Sequence, residues 1–187
     1  MPEPTGRRAE KRRADANQLA SGPLTDAGQV LLSALEDFLV DDGWPVADED
    51  HGERAFAVPV EGESGRWICV AQVPPERDLV LFTSILPIFV PPDGRVRVAE
   101  FLTRANFGML SGAFELDMDE GELRYRTSLD FTGADAAQLA ASALLRPLIR
   151  QMVYGNVVNV DRYFPGVMSV LYAGLSPTEA VARVEAE

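Results

Sequence analysis

The chain has 187 residues, 47% of them hydrophobic and 25% charged, with a formal net charge of −12. That composition fits a globular protein of one domain, and the acidity argues against a whole-domain nucleic-acid binder, which is ordinarily basic. The single cysteine, Cys69, excludes an internal disulfide framework.

The charge is unevenly spread. Residues 1–18 carry Arg7, Arg8, Lys11, Arg12 and Arg13 against Glu3, Glu10 and Asp15, a net +2, so the remainder holds −14. Before Leu19 this segment has almost nothing apolar larger than alanine and cannot bury enough surface to offset its ordering entropy. Residues 1–22 are therefore expected to be a disordered basic tail, and residues 23–187 a single folded domain. No apolar core follows the basic cluster, so no secretory signal is expected. The longest apolar stretch, Leu79 to Val90, is too short to span a bilayer and is interrupted by Thr83, Ser84 and Pro87. The expectation is a cytoplasmic protein without membrane contact. The tail lacks an aromatic side chain to stack on bases, which leaves weak electrostatic attraction as its one route to nucleic acid.

Thr25 is placed to cap a helix running to about Asp42, with Val30, Leu31, Ala34, Leu35, Phe38 and Leu39 forming one apolar stripe. After a polar loop containing His51, strand-like runs at about 54–60, 66–73 and 79–86 are rich in Val, Ile, Phe and Trp. Asp93 or Gly94 opens a second helix, with Val98, Phe101, Leu102 and Ala105 on one face, ending at Gly108. Phe114, Leu116 and Met118 then alternate with acidic residues, and Leu123, Tyr125, Thr127 and Leu129 with polar ones. This is a hairpin with one dry face and one wet face. Pairing Asp117 with Arg124 and Glu115 with Arg126 keeps both apolar sets together and puts Glu120-Gly121 at the tip. The last third is helical: Asp135 caps, Pro147 breaks or kinks, Pro165 marks a second kink. Ser176-Pro177-Thr178-Glu179 is a capping box that opens a terminal helix. The order α-βββ-α-ββ-α, plus the C-terminal helix, predicts an α+β fold: a five-stranded antiparallel sheet with flanking helices.

Catalytic chemistry is scarce. The lone histidine, His51, lies among Asp48, Glu49, Asp50 and Glu53, without the second nitrogen or sulfur ligand that a transition metal favours. The loop also fails the calcium-binding template, and it reads as a solvated connection. Cys69 sits in a Trp-Ile-Cys-Val strand, where a small buried thiol is the usual finding. No phosphate loop, HExxH pair or nucleophile elbow occurs, and Gly62-Glu63-Ser64-Gly65 resembles the last only superficially. No catalytic residue, cofactor or metal site is expected. An enzyme using the His51 loop and a nucleic-acid-associated protein acting through the tail are the alternatives to a binding protein. The candidate partner-binding residues are Ile85, Leu86, Ile88, Phe89 and Val90, an apolar run unsuited to a regular central strand because Pro87 cannot donate to a ladder. Its bland reading is a strand end tucked under the second helix.

Four segments carry a family resemblance: Ala99–Gly108 (AEFLTRANFG), Gly112–Asp117 (GAFELD), Gly121–Ser128 (GELRYRTS) and Asn156–Met168 (NVVNVDRYFPGVM). Together they resemble the YbjN-domain family of bacteria over about residues 24–185. The resemblance implies a sensory-transduction or stress-response regulator, with a fold similar to that of type III secretion chaperones. Those are small acidic proteins, usually homodimers, that hold a partner polypeptide without a cofactor. It therefore implies a non-enzymatic, chaperone-like adaptor or regulator, homodimeric, that binds a partner protein. The acidic body adds the expectation that the partner carries a basic segment.

Overall fold

The computed structural model describes residues 22–46 and 55–186. The basic tail and the His51 loop lie outside the described residues. The elements in chain order are α1 (Asp26–Asp41), β1 (Ala55–Glu61), β2 (Arg66–Gln72), β3 (Leu79–Phe89), α2 (Arg95–Phe107), β4 (Ala113–Leu116), β5 (Glu122–Asp130), α3 (Ala136–Ala140), α4 (Leu145–Tyr172) and α5 (Pro177–Ala186). The strands form one antiparallel sheet ordered β1-β2-β3-β5-β4. This is the expected α+β architecture.

Alternation assigns the two faces of the sheet. Val58, Cys69, Ser84, Tyr125 and Phe114 are aligned across all five strands and are all buried. They meet the apolar stripes of the helices, including Leu31, Leu35 and Phe38 of α1 and Ile149, Val153 and Val160 of α4, in one core. The expected caps are present. Thr25 Oγ1 accepts from the Gly28 N–H at 2.8 Å, and Asp135 Oδ1 from the Gln138 N–H at 3.0 Å. In the capping box, Glu179 Oε2 accepts from the Ser176 N–H at 2.9 Å and the Glu179 N–H donates back to Ser176 Oγ at 3.3 Å.

The hairpin register differs from the expectation by two residues. Glu115 faces Arg124, Ala113 faces Arg126 and Leu116 faces Leu123. The turn decides this. Asp117 Oδ1 accepts from the N–H groups of Asp119 and Glu120 at 2.7 and 2.9 Å, and its carbonyl accepts from Gly121 at 2.8 Å. Asp117 is thereby the turn's first residue and not a strand partner of Arg124. A two-residue slip keeps every side chain on its face, so the alternation could not detect it. Glu115 still bridges both arginines, to Arg124 Nε at 2.6 Å and to Arg126 Nη2.

Pro147 and Pro165 both lie inside α4, so neither ends a helix. Pro147 is the third residue of α4, within the first turn, where no N–H needs an intrahelical acceptor. Pro165 lies inside α4, which runs through it. Lacking an N–H, it frees the Asp161 carbonyl one turn earlier. That carbonyl accepts the Ser64 hydroxyl at 2.6 Å, and the Asp161 carboxylate accepts the N–H groups of Glu63 and Ser64 at 2.9 and 2.7 Å. The β1–β2 turn is thus docked on the helix at its proline. Gly62 is needed there, since a Cβ would come within 2.6 Å of Asp161 Oδ1.

Candidate partner-binding surface

The predicted segment lies where β3 leaves its neighbours. Pairing with β2 ends at Ile68–Ile85. Against β5, Ile85 faces Arg124 but the next pair is Phe89–Glu122, so Leu86, Pro87 and Ile88 together stand opposite Leu123 alone. A bulge here is what a proline without a ladder donor produces. It divides the five candidates. Leu86 and Val90 turn inward and are buried in the core, as the bland reading has it. They hold the segment down, and Leu86 also forms part of the wall of the groove at the β2–β3 opening. Ile85 and Ile88 are half-buried, and Phe89 is 70% exposed.

The segment is fastened at its far end. Arg95 donates from Nε to the Val90 carbonyl at 3.0 Å, and from Nη1 to the Met118 and Asp119 carbonyls at 3.1 and 3.0 Å. The Val90 N–H donates to the Gly121 carbonyl at 2.8 Å. Gly121 has φ +87°, and a Cβ there would come within 2.3 Å of the Val90 carbonyl oxygen, so only glycine fits. An exposed phenylalanine is therefore presented from fixed backbone.

Where β2 and β3 part, a groove of about 940 Å³ opens, with Trp44, Pro59, Trp67, Ile68, Ile85 and Pro87 among its walls. Ile68 is 46% exposed. Arg66 and Glu61, paired at 2.6 Å, lie at its rim. Trp44 packs edge-on against Tyr154 with ring centroids 5.3 Å apart, and its buried Nε1–H has no hydrogen-bond partner among the described residues. Pro59 and Ile68 were missed from the sequence, yet a signal existed. On β5 the wet-face positions include Arg124 and Arg126, whereas on β1 and β2 the positions aligned with these two are Pro59 and Ile68, and Ala57 and Val70; the row of Ser128 holds Gln72 and Ala55. The middle of the outward side of β1 and β2 is apolar, between Glu61 and Arg66 at one end and Gln72 at the other. A monomeric antiparallel sheet usually keeps that side polar.

The buried polar groups on the helix side of the sheet are committed to structure. Asn156, fully buried on α4, accepts the Ser84 hydroxyl at 2.6 Å and donates to the Phe82 carbonyl at 3.0 Å and Thr127 Oγ1 at 3.1 Å. Ser84 Oγ in turn takes the Trp67 Nε1–H at 3.0 Å and lies 3.1 Å from Cys69 Sγ. Burial pushes the Cys69 thiol up to about 11, the reverse of what a nucleophilic thiolate needs. Asn159 reaches the Tyr125 hydroxyl at 3.0 Å. The last of the four segments that carry the family resemblance, Asn156–Met168, thus helps hold the fold together through Asn156, Asn159 and Asp161. Among the described residues, no group of three His, Cys, Asp or Glu side chains could hold a metal ion, and no helix is long and apolar enough to cross a membrane.

Similar solved structures include YbjN from E. coli, with 20% identity over 76% of this chain and 90% of that one and a TM-score of 0.46. The Yersinia pestis type III secretion chaperone SycH, in complex with a stable fragment of YscM2, gives 20% identity, 65% and 96% coverage and a TM-score of 0.36. The HopA1–SchA chaperone–effector complex gives 16%, 70% and 98%, and 0.37. No curated protein matches the sequence. The model of the YbjN family, described as "Putative bacterial sensory transduction regulator", matches residues 31–142. With more than half its length inside that match, the chain belongs to the YbjN family.

Proposed function

We propose that this chain is a non-enzymatic adaptor or regulator that binds a partner protein through the apolar groove at the β2–β3 opening. The observation that carries the reading is the apolar lining of the groove by Pro59, Ile68, Ile85 and Pro87, with Phe89 exposed further along β3. Contiguous apolar surface of this kind marks interaction sites. The contact residues are Ile85, Ile88 and Phe89 with Pro59 and Ile68, while Leu86 and Val90 anchor them. Residues 23–187 act as one domain, cytoplasmic and homodimeric, in a stress or regulatory response. The −14 carried by residues 19–187 selects a partner with a basic segment, because complementary potentials speed encounter and reject acidic competitors.

The test compares the full chain with Ile68→Asp/Phe89→Asp as affinity baits in extract of the native cell. Ile68 is already 46% exposed and Phe89 70%, so the variant should melt with the wild type. A protein retained by the wild type and lost from the variant, with retention falling as salt rises, is the expected result. Equal retention by both baits would overturn the assignment of this surface.

A further inference from the structure

We propose that the groove between α1 and α3 is the seat of this chain's own basic segment, residues 1–21, which runs back along α1 and brings its cationic cluster to the acidic end of that helix. Two adjoining hollows of about 500 and 380 Å³ form the groove and share Val30, Ser33 and Ala140. Its walls carry small side chains, among them Ala34 on α1 and Ala136 and Ala137 on α3, and Ser33, Ala137 and Ala140 are exposed. Asp26 stands at one end and Asp37 at the other. The helical rise between them is roughly 16 Å.

Both walls are acidic. α1 carries Asp26, Glu36, Asp37 and Asp41 and no Lys or Arg, and the stretch from Phe131 to Leu144 adds Asp135, again with no Lys or Arg. Arg146, the cation among the lining residues, is paired with Asp41 at 2.5 Å. The last turn of α1 has no basic residue, although the carbonyl end of a helix favours one. Residues 7–13 supply the complement. Arg7, Arg8, Lys11, Arg12 and Arg13 stand there against Glu10 alone, a net +4.

The place where the segment joins the domain selects it as the occupant. Residues 22–25 lead straight into Asp26, so residue 21 is attached within roughly 14–18 Å of the near end of the groove. Extended backbone then lets Arg13 lie up to about 30 Å from Gly22 and Arg7 up to about 50 Å, which spans the groove and reaches the end of α1. Poor in large apolar side chains, the segment suits a shallow groove of small residues, with Ala16, Leu19 and Ala20 passing nearest its entrance. A short tether holds it there at an effective concentration on the order of millimolar, an advantage no free basic peptide has. The seat is separate from the groove proposed for the partner protein, and its test needs no partner.

The test is a nitroxide on Ala9→Cys in the full chain, read by the relaxation of backbone amides. Cys69 is buried, so the label goes to residue 9. The amides of Ala34, Asp37 and Ser142 should relax faster at low salt. Those of Glu76 and Arg77, in the β2–β3 turn beside Gly22, should be spared, whereas a freely moving segment would reach them as well. In 1 M salt, where the Debye length is about 3 Å, the effect should vanish. Ala137→Arg with Ala140→Arg puts two cations into the groove at exposed positions and should release the segment while leaving the melting temperature near that of the wild type. Should that variant fail to fold, replacing Arg7, Arg8, Lys11, Arg12 and Arg13 by Gln leaves the domain untouched and carries the same expectation. No enhanced relaxation, enhancement shared equally with Glu76 and Arg77, enhancement that survives these substitutions, or enhancement that grows with protein concentration and so comes from another molecule, would overturn the proposal.

Discussion

Replacing Asn156 by alanine measures how far one buried amide fixes the long helix on the sheet. The side chain is fully buried. Its oxygen takes the Ser84 hydroxyl at 2.6 Å, and its two N–H groups are spread over the Phe82 carbonyl, Thr127 Oγ1 and, at 3.3 Å, the Tyr125 carbonyl. Three lost bonds at about 1 kcal/mol net each give roughly 3 kcal/mol. Ser84 keeps Trp67 and Cys69 as partners, so no large orphan penalty is added there. The void left by the amide contributes up to about 1 kcal/mol more. Against a typical stability of about 5–15 kcal/mol the variant should fold, with a lower denaturation midpoint and an unchanged m-value in urea. A second variant, Asn156→Asp, makes the same point with opposite pH behaviour. A buried carboxylate facing two carbonyls has its pKa raised, so its stability is greatest below about pH 4 and falls as pH rises. A loss under about 1 kcal/mol for Asn156→Ala, or no pH dependence specific to the aspartate variant, would refute the role assigned to this network.

Two further expectations concern the same face of the sheet. Because burial raises the Cys69 thiol from 9.0 to about 11, the folded state holds that proton more tightly than the unfolded chain. Its contribution is complete below about pH 9 and is lost as pH climbs through 11, some 2–3 kcal/mol in all. Stability curves of the wild type and Cys69→Ala should therefore converge or cross over that interval, and parallel curves would count against the assignment. At the helix proline, Ser64→Ala should cost about 1 kcal/mol by denaturant unfolding, since it orphans the Asp161 carbonyl. In a Pro165→Ala background, where the backbone N–H returns to claim that carbonyl, the same change should cost clearly less. Equal costs in both backgrounds would show that the proline is not what frees the carbonyl.

The sheet, the helices and their caps were legible because alternation, helical spacing and capping residues are local signals. The hairpin register was legible only in parity. Alternation fixes which face a residue occupies, but the choice between Glu115–Arg124 and Glu115–Arg126 was made by the Asp117 turn. Pro147 and Pro165 were legible as interruptions and not as what they do. Their effect depends on the position of the helix start and on a hydroxyl far away in sequence. For the candidate surface, the apolar run through Phe89 was visible, but the inward turn of Leu86 and Val90 was not. A strand bulge changes which residues face solvent without changing composition. Ile68 went unnoticed because an outward isoleucine in a strand looks like an inward one until the neighbouring strands are aligned.

The proline-freed carbonyl of Asp161 also has a kinetic meaning. It joins the first hairpin to the last long helix through bonds between residues 97 positions apart in sequence. Contacts of such long range form late, because the loop must close before they stabilise anything. In a chain emerging from its N-terminus, β1 and β2 are made long before Asp161 and Pro165 exist. Until then the end of the hairpin has nothing to grip, and the groove beside it lacks a fixed wall. The surface proposed for a partner is therefore finished only after Asp161 and Pro165 have been synthesised, 97 residues behind the hairpin that they anchor.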